Sequence, residues 1–130
     1  MFKNNYTFSS FSVDNLQAAR EFYANKLGLE VIEGGMGLNL HVYDSNPVFI
    51  YEKSNHTPAT FTVLNFVVDD VDAAVDELVL KGITFERYDS LPADQDEKGI
   101  LRGKVANQGP DIAWFKDPAD NVIAVLSDQL

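Results

Sequence analysis

Apolar residues recur along this chain with two different periods, and each change of period marks a structural element. From Val63 to Val68 they form a short continuous run. Asp69-Asp70 then supply a helix N-cap, and Val71, Ala74, Val75, Leu78 and Val79 follow at helical spacing until Lys81-Gly82. The pattern predicts a strand over residues 62–68, a helix over 71–81 and a strand over 83–88. Fifty-five positions earlier the same arrangement occurs: Phe66 falls on Phe11, Val68 on Val13, Asp70 on Asn15, Ala73-Ala74 on Ala18-Ala19 and Lys81 on Lys26. A β-α-β unit is therefore present twice, and a chain with an internal repeat is read through that repeat first.

The remaining elements extend each copy. Residues 7–13 predict the first strand. Asp14 or Asn15 caps a helix over 16–26 with the stripe Leu16, Ala19, Phe22, Tyr23, and Gly28 takes a left-handed backbone after it. Strands are predicted at 29–33, 38–43 and 48–53, the second alternating Leu38, Leu40, Val42 against Asn39, His41, Tyr43. In the second copy, a polar stretch over 89–111 precedes a hairpin of 112–116 and 122–127, with one more short strand expected at 101–105. Stretches of that length are commonly lids or mobile surface segments. The fold class is α+β: one domain over 1–130, with a βαβββ module at 7–53, a linker at 54–61 and a second βαβββ module at 62–128.

Composition narrows the function. A chain of 130 residues, 45% hydrophobic and 12% aromatic, can bury about two thirds of its unfolded surface in one core. The net charge of −10 opposes nucleic acid and favours a cationic ligand. Zero cysteines exclude disulfides, thiolate metal sites and a cysteine nucleophile. No apolar run is long enough to span a membrane, and the first residues lack the layout of a signal peptide, so a cytoplasmic location is expected.

The stretch Val13-Asp14-Asn15-Leu16-Gln17-Ala18-Ala19-Arg20-Glu21-Phe22-Tyr23, with Lys26-Leu27-Gly28-Leu29 after it, resembles the vicinal oxygen chelate superfamily of glyoxalases, bleomycin-resistance proteins and extradiol dioxygenases. So do Val68-Asp69-Asp70-Val71-Asp72-Ala73-Ala74 and Asp117-Pro118-Ala119-Asp120-Asn121. The resemblance implies paired βαβββ modules forming an open half-barrel of mixed sheet around a ligand cleft, usually in a homodimer. Many such proteins bind one divalent metal. Their ligand positions fall here on Phe8, Val63 and Ala124, with a fourth near residues 50–52, where Glu52 is the one donor. Phenylalanine, valine and alanine offer a metal no lone pair. No metal and no cofactor are expected.

The cleft must then be lined otherwise. A five-residue turn centred on Ala119 sets Trp114 opposite Ala124, so Phe8 and Trp114 become an apolar platform for a planar organic ligand. Ser10 and Asn65 occupy equivalent repeat positions and place polar groups on strands. His41 and Tyr43 lie on the polar side of their strand. His41 and His56 are the candidate general bases, because imidazole exchanges protons near neutrality. Lys98, Arg102 and Lys104 could grip a charged ligand from the acidic loop 94–99, which lacks the ligand spacing of an EF-hand. The ligand-binding expectation therefore comprises Phe8, Ser10, His41, Tyr43, Val63, Asn65, Trp114 and Ala124. Three functions stay open: a metal-free binder of a small organic molecule, a cation being the charge the balance favours; a metal-independent isomerase or lyase using a histidine; and a metal lyase or dioxygenase whose ligands lie elsewhere.

Overall fold

The computed structural model describes residues 1–128, which divide into two compact units, one over Met1–Pro58 and one from Ala59 onward. The first contains β1 (Ser10–Val13), α1 (Leu16–Glu21), β2 (Glu30–Gly34), β3 (Gly37–His41) and β4 (Val48–Glu52). Its sheet runs β1-β4-β3-β2, with β1 parallel to β4 and the other pairs antiparallel. The second unit contains β5 (Thr62–Val67), α2 (Val71–Leu80), β6 (Leu101–Arg102), α3 (Gly103–Ala106), β7 (Asp111–Lys116) and β8 (Val122–Leu126). Its order, β5-β8-β7-β6, repeats that of the first. Among the described residues no helix is long and apolar enough to cross a membrane.

The repeat is visible in its caps. Asn15 Oδ1 accepts the Ala18 N–H at 3.0 Å, and Asp70 Oδ1 accepts the Ala73 N–H at 3.1 Å. Each satisfies an amide that the first helical turn leaves unpaired. The predicted helix over 16–26 changes character half-way. Phe22–Lys26 is a π-helical turn, closed by the Leu27 N–H on the Phe22 carbonyl at 3.0 Å. The wider turn lets the adjacent residues Phe22 and Tyr23 both enter the core, where their rings meet edge to face at 5.1 Å. They cover one face of the first sheet, against Phe11, Val13, Leu38, Leu40 and Ile50. In the second unit α2 buries Val71 and Val75.

Other boundaries differ for local reasons. The first strand begins at Ser10, not at residue 7, and the third ends at His41. Tyr43 leaves the strand for the following turn with φ 29° and is fully exposed, which removes it from the sheet face where alternation placed it. Residues 83–88 form no ladder; Phe85 alone bridges Phe115. The amide of Gln95 substitutes for the missing strand. Its Oε1 accepts the Tyr88 N–H at 2.8 Å, and its Nε2 donates to the carbonyls of Glu86 and Gly99 at 3.0 and 2.7 Å. The short strand expected over 101–105 stops at Arg102, where α3 begins.

The stretch over 89–111 is tied to α2 by ion pairs. Arg102 makes a two-pronged contact with Asp72, both bonds 2.8 Å, and reaches Asp96 at 2.7 Å. Lys98 Nζ lies 3.0 Å from Asp76 and 3.5 Å from Asp72. Two of the three cations expected to grip a ligand, Lys98 and Arg102, are thus engaged by carboxylates of their own unit.

Candidate functional site

The face of the second sheet away from α2 is set by register. Asn65 pairs with Ala124, and Ala124 with Trp114, so the three form one row across β5, β8 and β7. The predicted opposition of Trp114 and Ala124 is met. From that row the indole leans across β8, and its Nε1 donates to Thr62 Oγ1 on β5 at 3.2 Å. Tyr88 stands edge-on to the indole at 5.5 Å and 74°. Thr60, Phe61, Thr62, Tyr88, Leu91 and Trp114 border a recess of about 270 Å³. That lies near the lower end of the size of small-molecule sites, roughly 300–1,000 Å³.

Burial, with the Glu86 carboxylate beside it, pushes the Tyr88 phenol above its usual range, so it remains an uncharged donor and acceptor. Asn65 stands exposed on the same face. Val63 falls at the irregularity between Thr62 and Leu64, where β5 slips in register against β8.

The first unit carries a comparable open face. Ser10, Phe49 and Asn39 form one row, and Ser12, Tyr51 and Gly37 the next. The Phe49 and Tyr51 rings stack at 6.1 Å and 19°. Phe49 lies over Gly37: a Cβ there would stand 2.9 Å from its Cζ. Ser12 Oγ and His56 Nδ1 are 2.6 Å apart, which joins the segment after β4 to β1. His41 shares the Asn39 side of β3, opposite Glu30, and is half-buried. Phe8 precedes β1 and is 62% exposed. The residues missed in the sequence are Phe49, Tyr51 and Tyr88; the first two sit at period two in a strand that is apolar on both sides, so alternation did not reveal which side was open.

A metal does not fit the expected positions. Phe8, Val63 and Ala124 have no donor atom, and Glu52 pairs with Val13 on the helix-covered side of its sheet. There Glu52 Oε1 accepts the Leu16 N–H at 2.9 Å, at the start of α1. Among the described residues no three His, Cys, Asp or Glu side chains are grouped to hold an ion.

The family model for the glyoxalase/bleomycin resistance protein/dioxygenase superfamily matches residues 6–125. The chain belongs to that superfamily. No curated protein matches this sequence significantly. Solved structures of the superfamily's fold are similar throughout. TnmS3, an antibiotic binding protein from Streptomyces sp. CB03234, superposes with a TM-score of 0.68 at 19% identity, covering 98% of each chain. A superfamily member from Sphaerobacter thermophilus DSM 20745 gives 0.67 at 19% identity, covering 98% of this chain and 100% of its own. A glyoxalase family protein from Bacillus anthracis gives 0.68 at 19% identity, covering 98% and 99%. At such identities the likeness establishes the fold, and this superfamily member's own residues must supply the function.

Proposed function

We propose that this superfamily member binds a small organic molecule in an aromatic-lined cleft without using a metal, as a cytoplasmic homodimer. The observation that carries the reading is Trp114. It pairs with Ala124, a position at which the resemblance to metal-binding members places a ligand; its indole reaches across β8 to Thr62, and Tyr88 walls the recess beside it. Such a surface offers burial and ring contact to a planar ligand, with Thr62, Asn65 and the Tyr88 hydroxyl as polar partners. The net charge of −10 favours a cationic ligand through the long-range field. An antibiotic-binding neighbour of the same fold agrees with this reading.

Trp114 is the only tryptophan, so its emission reports on this recess directly. A compound library is screened by thermal shift, and hits are titrated against tryptophan fluorescence. Hits that raise the melting temperature and change the Trp114 emission support the proposal. A library without shifts refutes binding, and shifts without any change in emission refute the location.

A second reading, a metal-independent isomerase or lyase, rests on the contact between Ser12 and His56. A hydrogen bond to one ring nitrogen orients an imidazole, as general-base catalysis requires. It predicts turnover that His56→Ala abolishes, with His41→Ala as the companion test; a rate unaltered in both variants ends it.

A further inference from the structure

We propose that a groove on the helix-covered side of the second unit is a second ligand site, specific for a zwitterion with an apolar body, such as a hydrophobic α-amino acid. The groove encloses about 620 Å³, more than twice the recess at Trp114. It is separate from that recess. Its wall residue Phe85 pairs with Phe115, and Phe115 and Trp114 are consecutive on β7 and so point to opposite faces.

The floor is hydrocarbon: Val79, Leu80, Ile83 and Phe85. Leu80 is 88% exposed and Val79 53%, although α2 already buries its Val71 and Val75 stripe against the sheet. Two adjacent aliphatic side chains in water, beside a concave wall, suit an apolar body laid into the groove.

The rim carries two pairs of opposite charges in different states. Lys98 and Asp76 neutralise each other at 3.0 Å. Arg87 and Glu97 do not: among the described residues neither has an ion-pair partner. Arg87 Nη2 instead donates to the backbone carbonyl of Glu97 at 2.6 Å, which fixes the guanidinium beside that residue and leaves both charged ends available. A carboxylate is then received by Arg87, in the fork geometry that guanidinium favours, and an ammonium by Glu97. A ligand of single charge satisfies one group and meets the like charge of the other.

The test uses the whole protein and three probes followed by backbone amide NMR, which suits the roughly millimolar affinity of so open a site. L-phenylalanine supplies both charges, N-acetyl-phenylalanine lacks the cation and phenylalaninamide lacks the anion. Phenylalanine is expected to shift amides in residues 79–87 and 97–98 and to bind about three- to fivefold more tightly than either analogue. Glu97→Gln should abolish the preference over N-acetyl-phenylalanine, and Arg87→Gln the preference over phenylalaninamide. Both side chains are exposed, so neither variant threatens folding. Analogues binding as well as phenylalanine, or shifts absent from this groove, overturn the proposal. Trp114 emission stays constant throughout, which separates this result from the fate of the first site.

Discussion

Replacing Arg102 with methionine removes one of the two cations that tie the 95–102 stretch to α2 while keeping most of the apolar stem of the side chain. The guanidinium lowers Asp72 from the ordinary 3.8 to about 2, mainly through its two-pronged hydrogen bond; partial burial opposes this, and the nearby Lys98 charge assists. A depression of that size corresponds to roughly 2.5 kcal/mol in an enclosed pair. The Asp72 side chain is 42% exposed and that of Arg102 35%, so solvent screening reduces the contribution to about 1 kcal/mol. Asp96 is also lowered: burial alone would raise it, but the Ile100 amide, the Arg102 guanidinium and the Lys98 amide outweigh that. Because the folded carboxyl titrates below the unfolded one, the stabilisation is complete well above pH 3.8 and disappears as the pH falls towards 2. Urea denaturation should show Arg102→Met less stable by about 1 kcal/mol near neutrality, with the gap closing progressively below about pH 4. Asp72→Asn should cost much less in the Arg102→Met background than in the native protein. A gap that stays constant across this range would show that Arg102 acts through packing of its stem, and the electrostatic account would fail.

Three other substitutions probe the sheets. Trp114→Phe keeps a ring against Tyr88 but loses the bond to Thr62, for an expected loss of about 1 kcal/mol by thermal or urea unfolding and a weaker response to ligand. Gly37→Ala brings a methyl group against the Phe49 ring and the β4 backbone and should cost about 1–3 kcal/mol, with a changed near-ultraviolet signal from the displaced ring. Asp117→Ala should be the most damaging, at about 2–4 kcal/mol in urea. The buried Asp117 carboxylate receives the Ala119 and Asn121 amides at 2.9 Å and the Asn121 side chain at 3.0 Å in the turn between β7 and β8.

The parts of the fold legible in the sequence were those governed by one local rule. The caps could be narrowed to Asp14 or Asn15 and to Asp69-Asp70 because a short polar side chain before an apolar helical stripe has few other roles, and Asn15 and Asp70 fill them. The pairing of Trp114 with Ala124 followed from the length of one turn. The failures came where a distant group took over a backbone's hydrogen bonds. Nothing within residues 83–88 announces that Gln95 will take the Tyr88 amide and the Glu86 carbonyl, so a β-rich run read as a strand. The π-turn at Phe22 depends on burying two neighbouring rings at once, which a regular 3.6-residue period does not represent. Site residues were harder still. Tyr88 reaches Trp114 from outside any strand, and its part in the recess is a property of the folded loop alone.

The glutamine that stands in for a strand also decides where this architecture can change. Because one side-chain amide closes the gap between Glu86, Tyr88 and Gly99, the intervening residues 89–94 carry no ladder whose register must be preserved. Extra residues spliced there enlarge a surface excursion at an entropic cost growing only with the logarithm of its length, and leave the pairing of β7 with β8 untouched. The second half of the molecule thus contains a natural graft point, closed at its base by the side chains of Gln95 and Arg87.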